Sequence, residues 1–313
     1  MSYRSAGADP PFSDLRRAHG IGFEGHYWRF AGAGWSVAAI AAVCADARGA
    51  RWGMVTLCMQ PGNVERTRIA AVAQADRERF GVRAGPLLTA DERSLTVDLG
   101  ADMRLRADFA ARRDWPRSRP FGALGPAQLA PGLGQYWSPH LLGARVRGAA
   151  TLGARTLALD GASVYAEKNW GAAFAERWWW GQAALDGGAA GVAFAGGRVR
   201  HAGVAAAPTA VCAWRGDGGL VALAPPLART VARVGGGEWQ IRASSARFDV
   251  ILEGQVELEP LRLPVPLPAA RTLEPRSDHH LAGELRVSVR RGRRLWLRGT
   301  SRLAALEAGR AER

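Results

Sequence analysis

Alternation of apolar and polar residues with a period of two is the dominant pattern along the chain. Between 103 and 109, Met103, Leu105, Ala107 and Phe109 alternate with Arg104, Arg106 and Asp108. Successive side chains of a strand point to opposite faces, so this stretch predicts a strand with one dry and one wet face. The pattern recurs in Leu95/Val97/Leu99, Trp239/Ile241/Ala243, Phe248/Val250/Leu252, Val256/Leu258, Leu285/Val287/Val289 and Leu295/Leu297. Short strands separated by Gly, Asp-Gly and Pro breaks predict an all-β chain of antiparallel barrels or sandwiches. Helical signals are confined to the charged stretch near Ala75 to Phe80 and the acid-containing tail from Ser301.

The run Trp115 to His140, WPRSRPFGALGPAQLAPGLGQYWSPH, is rich in Pro and Gly and interrupts the alternation. It reads as a connection between two β-barrel or sandwich halves, 1–150 and 151–313. A long loop covering a substrate is the competing reading. With 313 residues, 48% of them hydrophobic, the chain exceeds one compact domain and can bury more than one core. Its 39 Gly and 17 Pro lie scattered among apolar runs, which excludes collagen-like and low-complexity chains.

The formal charge of +14 raises the question of nucleic-acid binding. The cations, however, are Arg spread from Arg4 to Arg313 with a single Lys, Lys168, and no basic tail, zinc pattern or aromatic RNA-binding signature accompanies them. A GC-rich coding sequence accounts for a chain rich in Arg, Ala and Gly, so no nucleic-acid partner is expected. The charge is compatible with weak, peripheral contact to anionic lipid headgroups. Cys44, Cys58 and Cys212 form no close pair and read as buried small hydrophobes. Adjacent His279 and His280 would diverge in an extended segment, so no metal site is expected. The opening MSYRSAGADPPFSD lacks the apolar run of a secretory signal, and Trp35 to Ala45 is about half the length of a membrane span. A cytoplasmic protein is the expectation.

The most unusual stretch is SVYAEKNWGAAFAERWWWGQ, Ser163 to Gln182, which holds the only Lys and four of the twelve Trp. Consecutive Trp178, Trp179 and Trp180 in a strand must point to both faces, so at least one indole needs a surface other than its own barrel's core. A large apolar ligand would provide one. The plainer reading is a strand pair whose indoles fill a core, with Glu167 and Lys168 as a solvated ion pair.

The run Tyr165-Ala166-Glu167-Lys168-Asn169-Trp170-Gly171, followed by Phe174, the Trp cluster and Gln182, resembles the signature of tocopherol cyclase-like proteins. FEGHYWRF at 23–30 is similar to that family's early FEGWY element, with His26 where Trp is usual. QYWSPHLLG at 135–143 resembles its mid-chain Tyr-Trp-x-Pro element, and LAGELRV and TSRLAALEAG near the C-terminus resemble its closing strands. Ala175 stands where the family usually has Pro. The resemblance implies two lipocalin-like halves and an acid-catalysed cyclisation of a prenylated quinol or related isoprenoid, formally an isomerisation by an intramolecular lyase. Such chemistry needs a proton donor for the prenyl double bond and a dry, aromatic-lined cavity in which a tertiary cation survives. It needs no metal and no organic cofactor.

On that reading Glu167 is the first candidate for the acid and Glu24 the second. Trp170, Trp178 and Trp180 are cavity aromatics, Tyr165 and Tyr27 hydroxyl partners, and Asn169 and Gln182 polar anchors for a head group. Glu253 and Glu307 rank below these. A non-catalytic lipocalin-like carrier, binding a hydrophobic small molecule in the same cavity, is the alternative.

Overall fold

Where the alternation is strongest the strands follow it, with Met103, Leu105, Ala107 and Phe109 buried and Arg104, Arg106 and Asp108 exposed. The computed structural model describes residues 22–76, 79–119, 121–130, 133–201 and 204–311. A first sheet comprises β1 (Phe23–Gly32), β2 (Trp35–Ala45), β3 (Arg51–Gln60), β4 (Val64–Ala70), β5 (Ala73–Ala75), β6 (Gly81–Ala84), β7 (Leu88–Asp91), β8 (Ser94–Asp98), β9 (Met103–Asp114), β10 (Gln135–Leu152), β11 (Arg155–Ala158) and β12 (Ser163–Gly171). A second comprises β13 (Arg177–Leu185), β14 (Ala190–His201), β15 (Val204–Ala206), β16 (Thr209–Trp214), β17 (Leu220–Leu223), β18 (Arg229–Gly235), β19 (Glu238–Ser244), β20 (Phe248–Gln255), β21 (Leu261–Leu267), β22 (Thr272–Arg291) and β23 (Arg294–Arg310).

Each sheet curls into a nearly closed barrel. In the first, strands run in the order β4-β3-β2-β1-β12-β10-β9-β8-β7-β6-β5; in the second, β17-β16-β14-β13-β23-β22-β20-β19-β18. The second is pinned near its edges by the Thr209 N–H, which donates to Thr230 Oγ1 at 3.3 Å. Apolar cores result, three of which are the main ones among the described residues. One fills the first barrel around Phe30, Leu57, Leu105 and Phe109, and one fills the second around Phe194, Ile241, Leu252 and Leu306. The third lies between the barrels and includes Tyr27, Trp137, Tyr165, Trp180 and Leu281.

The boundary between sheets falls between Gly171 and Arg177. Strands β11 and β12, expected in a half that starts at 151, complete the first sheet, because the YAEKNWG run pairs with β1 on one side and β10 on the other. The Pro/Gly-rich run is not the connection between barrels either, since β9 and β10 flank it and pair with each other. Its 3-10 segment, Gly122–Leu129, packs on β10 and on β16 and β17, across the seam. The expected helix from Ser301 is the end of β23, paired with β13 and β22. Ala75 ends β5, and residues 77 and 78 of the other expected helix lie outside the described residues. Val256 and Leu258 follow β20 without forming a strand. No helix among the described residues is long and apolar enough to cross a membrane. The three cysteines are buried and free.

Strands β1, β3, β12 and β16 are buried on nearly every residue, because one face meets their own barrel's interior and the other turns toward the opposite barrel. Polar side chains on them must therefore find protein partners. The Arg29 guanidinium crosses the seam, donating to Gln182 Oε1 at 2.6 Å and to the Leu303 carbonyl, and burial lowers its pKa to about 10. Gln60 Oε1 accepts the Leu281 N–H at 2.7 Å across the same seam. Arg29→Leu strips a donor from two buried acceptors and is expected to cost about 1–3 kcal/mol. Urea denaturation measures this; an unchanged midpoint would show that the joint does not depend on Arg29.

Candidate active site

The pairing of β1 with β12 sets Tyr27 opposite Glu167, Gly25 opposite Asn169 and Arg29 opposite Tyr165. Directly opposed residues of an antiparallel pair share a face. This face turns away from the first barrel's interior, while Glu24, His26 and Trp28 on β1 and Lys168 and Trp170 on β12 turn into it. On the second barrel, Trp180 lies opposite Glu307, Glu307 opposite His279, and both Trp178 and Ser277 opposite Gly309. The two faces meet across a cavity of about 440 Å³.

Tyr27, Ile40, Trp137 and Asn169 form its wall on the first barrel, and Trp178, Trp180, Leu263 and Glu307 its wall on the second. Leu124 and Ala127 of the 3-10 segment also line it, which favours the loop-over-substrate reading of the Pro/Gly-rich run. So do Pro225, Pro226, Pro264 and Pro266. Proline has no backbone N–H, so it presents apolar wall with no donor left to satisfy. A side chain at Gly309 would collide with the Trp178 ring, and one at Gly25 with the Asn169 amide. Glycine at these two positions lets both groups lie against the wall.

Two carboxyls face this space in different states. Glu167 Oε2 accepts hydrogen bonds from the Tyr165 hydroxyl at 2.6 Å and from the Trp180 indole N–H at 2.8 Å. Burial nevertheless dominates and pushes its pKa up to about 7. Glu307 accepts from the Trp178 indole N–H at 2.6 Å and pairs with His279 Nδ1 at 2.8 Å. Burial works against its charge, but His279, Trp178 and Ser277 together hold its pKa below the ordinary carboxylate value. His279 Nε2 lies 3.2 Å from the Tyr27 hydroxyl, whose pKa burial raises well above 10. Trp180 packs edge-on to Tyr27 at 4.9 Å and stacks on His279 at 5.9 Å.

Of the candidates read from the sequence, Glu167, Tyr27, Asn169, Trp178 and Trp180 line the cavity, and Tyr165 stands behind Glu167. Glu24 does not reach it. It lies inside the first barrel, 3.2 Å from Lys168 Nζ and 3.1 Å from His26 Nε2; burial raises its pKa, and these two partners more than offset that. Neighbours in a strand point apart, so Lys168 pairs with Glu24 and the solvated Glu167–Lys168 pair does not form. Trp170 also turns inward, stacked on Tyr136 at 5.7 Å with the Lys168 ammonium 4.8 Å from its ring. Gln182 holds Arg29, away from any head group.

Trp137 and His279 were not among those candidates, and Glu307 ranked below them. His279 and His280 do diverge, His280 turning edge-on to Trp239 at 6.0 Å, while His279 lies behind the cavity wall against Tyr27 and Glu307. No three His, Cys, Asp or Glu among the described residues are grouped so as to hold a metal ion.

The tocopherol cyclase-like family matches residues 137–310, more than half of the chain. The chain belongs to this family. The matched stretch contains Glu167, the three consecutive tryptophans, His279 and Glu307, and starts after Glu24 and Tyr27. No protein of curated function matches the chain by sequence. Kievitone hydratase from Nectria haematococca superposes with a TM-score of 0.55 at 12% identity, covering 99% of this chain and 95% of that one. A protein described as AttH from Nitrosomonas europaea gives 0.54 at 12% identity over 92% of each chain. CghA with Sch210972 gives 0.59 at 12% identity, over 93% of this chain and 89% of that one. At such identity these members of the comparison share the two-barrel fold with this tocopherol cyclase-like protein, and no substrate follows from them.

A carboxyl whose folded-state pKa is raised stabilises the fold in its protonated form. For Glu167 that contribution is complete below about pH 4.5 and is lost as the pH rises to about 7. Glu167→Gln cannot ionise and should reduce the fall in stability across this window. Urea denaturation at several pH values reads the slope; a slope the substitution leaves unaltered contradicts the raised pKa.

Proposed function

We propose that the protein binds a prenylated quinol or related isoprenoid between its barrels and cyclises it, with Glu167 as the acid. The observation that carries this reading is a carboxyl with a pKa near 7 in an aromatic, apolar cavity. A pKa near the working pH gives a proton donor that is both populated and strong enough to transfer. Tyr165 and Trp180 both donate to Oε2, so the acidic proton belongs on Oε1.

Protonation of a trisubstituted double bond at its less substituted carbon leaves a tertiary cation. The faces of Trp137, Trp178 and Trp180 suit such a cation through their quadrupoles. The cavity falls within the range of roughly 300–1,000 Å³ typical of small-molecule sites. A cyclase, for which the family is named, and a hydratase, as one similar structure is named, can both begin by delivering a proton to a carbon–carbon double bond. In the first a hydroxyl of the substrate captures the cation, and in the second water does.

Glu167→Gln keeps the shape of the side chain and removes the proton. Turnover of a prenylated hydroquinone is expected to fall by about 10²-fold or more while binding, followed by Trp fluorescence, survives. Undiminished turnover in the variant would refute Glu167 as the acid. Binding without turnover in the unaltered protein would leave a carrier.

A further inference from the structure

We propose that Tyr27, backed by His279 and Glu307, accepts the proton of a hydroxyl on the substrate, so that the cavity selects an alkene bearing its own phenolic or enolic hydroxyl. This rests on the reading of Glu167 as the acid. Glu307 is the ionised member of the two carboxyls, so the proton between it and His279, 2.8 Å apart, sits on Nδ1. In the neutral tautomer with its proton on Nδ1, His279 offers Nε2 as an acceptor, and the Tyr27 hydroxyl lies 3.2 Å from it. With its hydrogen directed at His279, the Tyr27 oxygen can only accept from a ligand. The buried phenol does not ionise by itself, so Tyr27 acts by passing its proton to His279 as another arrives.

Position supports the assignment. Tyr27 and Glu167 are directly opposed on neighbouring strands, which puts their Cβ atoms about 4.5–5.5 Å apart. Donor and acceptor therefore face the same cavity from adjacent positions on the first barrel's wall.

The step balances. A C–H bond forms as the Glu167 O–H bond breaks, and the π bond becomes a cation on the adjacent carbon. The substrate oxygen closes on that carbon and loses its proton to Tyr27, whose own proton moves to His279 Nε2. The resulting imidazolium rests against the Glu307 carboxylate. Once the product leaves, return of that proton to Glu167 through Tyr27 and water entering the emptied cavity restores the site, and the net reaction is an isomerisation with no co-reactant. Tyr27 is then a catalytic residue, and His279 and Glu307 are positioning residues.

The test compares a geranylated hydroquinone with the same compound methylated at the hydroxyl next to the prenyl arm, binding being read by Trp fluorescence. The unaltered protein should prefer the free hydroxyl by about tenfold, the scale of one buried hydrogen bond. Tyr27→Phe should lose that preference and still bind the ether as the unaltered protein does. Glu307→Gln should lower kcat by about tenfold or more with KM little changed, a split that a merely structural role would not produce. Equal binding of the two probes by the unaltered protein, a preference retained in Tyr27→Phe, or an unchanged kcat in Glu307→Gln overturns the proposal. Failure of both probes to bind instead rejects the reading on which it rests.

Discussion

Burial on both faces of the β1/β12 strand pair is the constraint from which the site follows. A strand with one face in water can leave its polar side chains there, but these two have no such face. Every polar group on them must be partnered inside the protein or cost several kcal/mol in lost solvation. The outcome is two polar clusters back to back. Glu24, His26 and Lys168 satisfy one another inside the first barrel, and Tyr27, Arg29, Tyr165 and Glu167 reach across the seam to the second. The seam is therefore a joint and a site at once. Tyr27, Arg29 and Glu167 each have a partner on the other barrel.

The same burial produces opposite results at the two cavity carboxyls because their partners differ. Tyr165 and Trp180 offer Glu167 neutral donors, which soften desolvation without cancelling it. Glu307 has the imidazole of His279 beside it in addition to an indole. Pairs of titratable groups whose surroundings push their pKa values apart are the usual arrangement for dividing acid and base roles. Here the division coincides with the two barrels: the carboxyl with the raised pKa lies on the first, and the one with the lowered pKa lies on the second. The apolar prolines and indoles around them keep the dielectric low enough for both shifts to persist.

Alternation made the outward-facing strands legible. The pattern of β9, β19 and β20 in the sequence is the burial pattern in the fold. Strands clamped between barrels carry no such signature, so the division of the chain was misplaced at 150: β12 belongs to the first sheet through its pairing with β10 and with β1, the latter more than 130 residues earlier. The tryptophan triplet was more informative. Trp178 and Trp180 turn to the seam, while Trp179, which also borders the cavity, packs on the second barrel's core and donates to Thr209 at 3.0 Å, so both faces are occupied as consecutive indoles require. Glu167 was legible through a local motif. Glu307 was not, because RLAALEAG satisfies a helical spacing as well as a strand's. Nor was His279, whose partner Tyr27 lies 252 residues away.

The central claim is that the ligand lies between the barrels and in neither lumen. A prenylated hydroquinone carrying a diazirine at the far end of its chain, irradiated in the protein and mapped by peptide mass spectrometry, tests it directly. Adducts on the peptides that hold Trp137, Trp178 and Trp180 are the predicted result. Adducts confined to a barrel interior, around Phe30 and Leu57 or around Phe194 and Ile241, would contradict it.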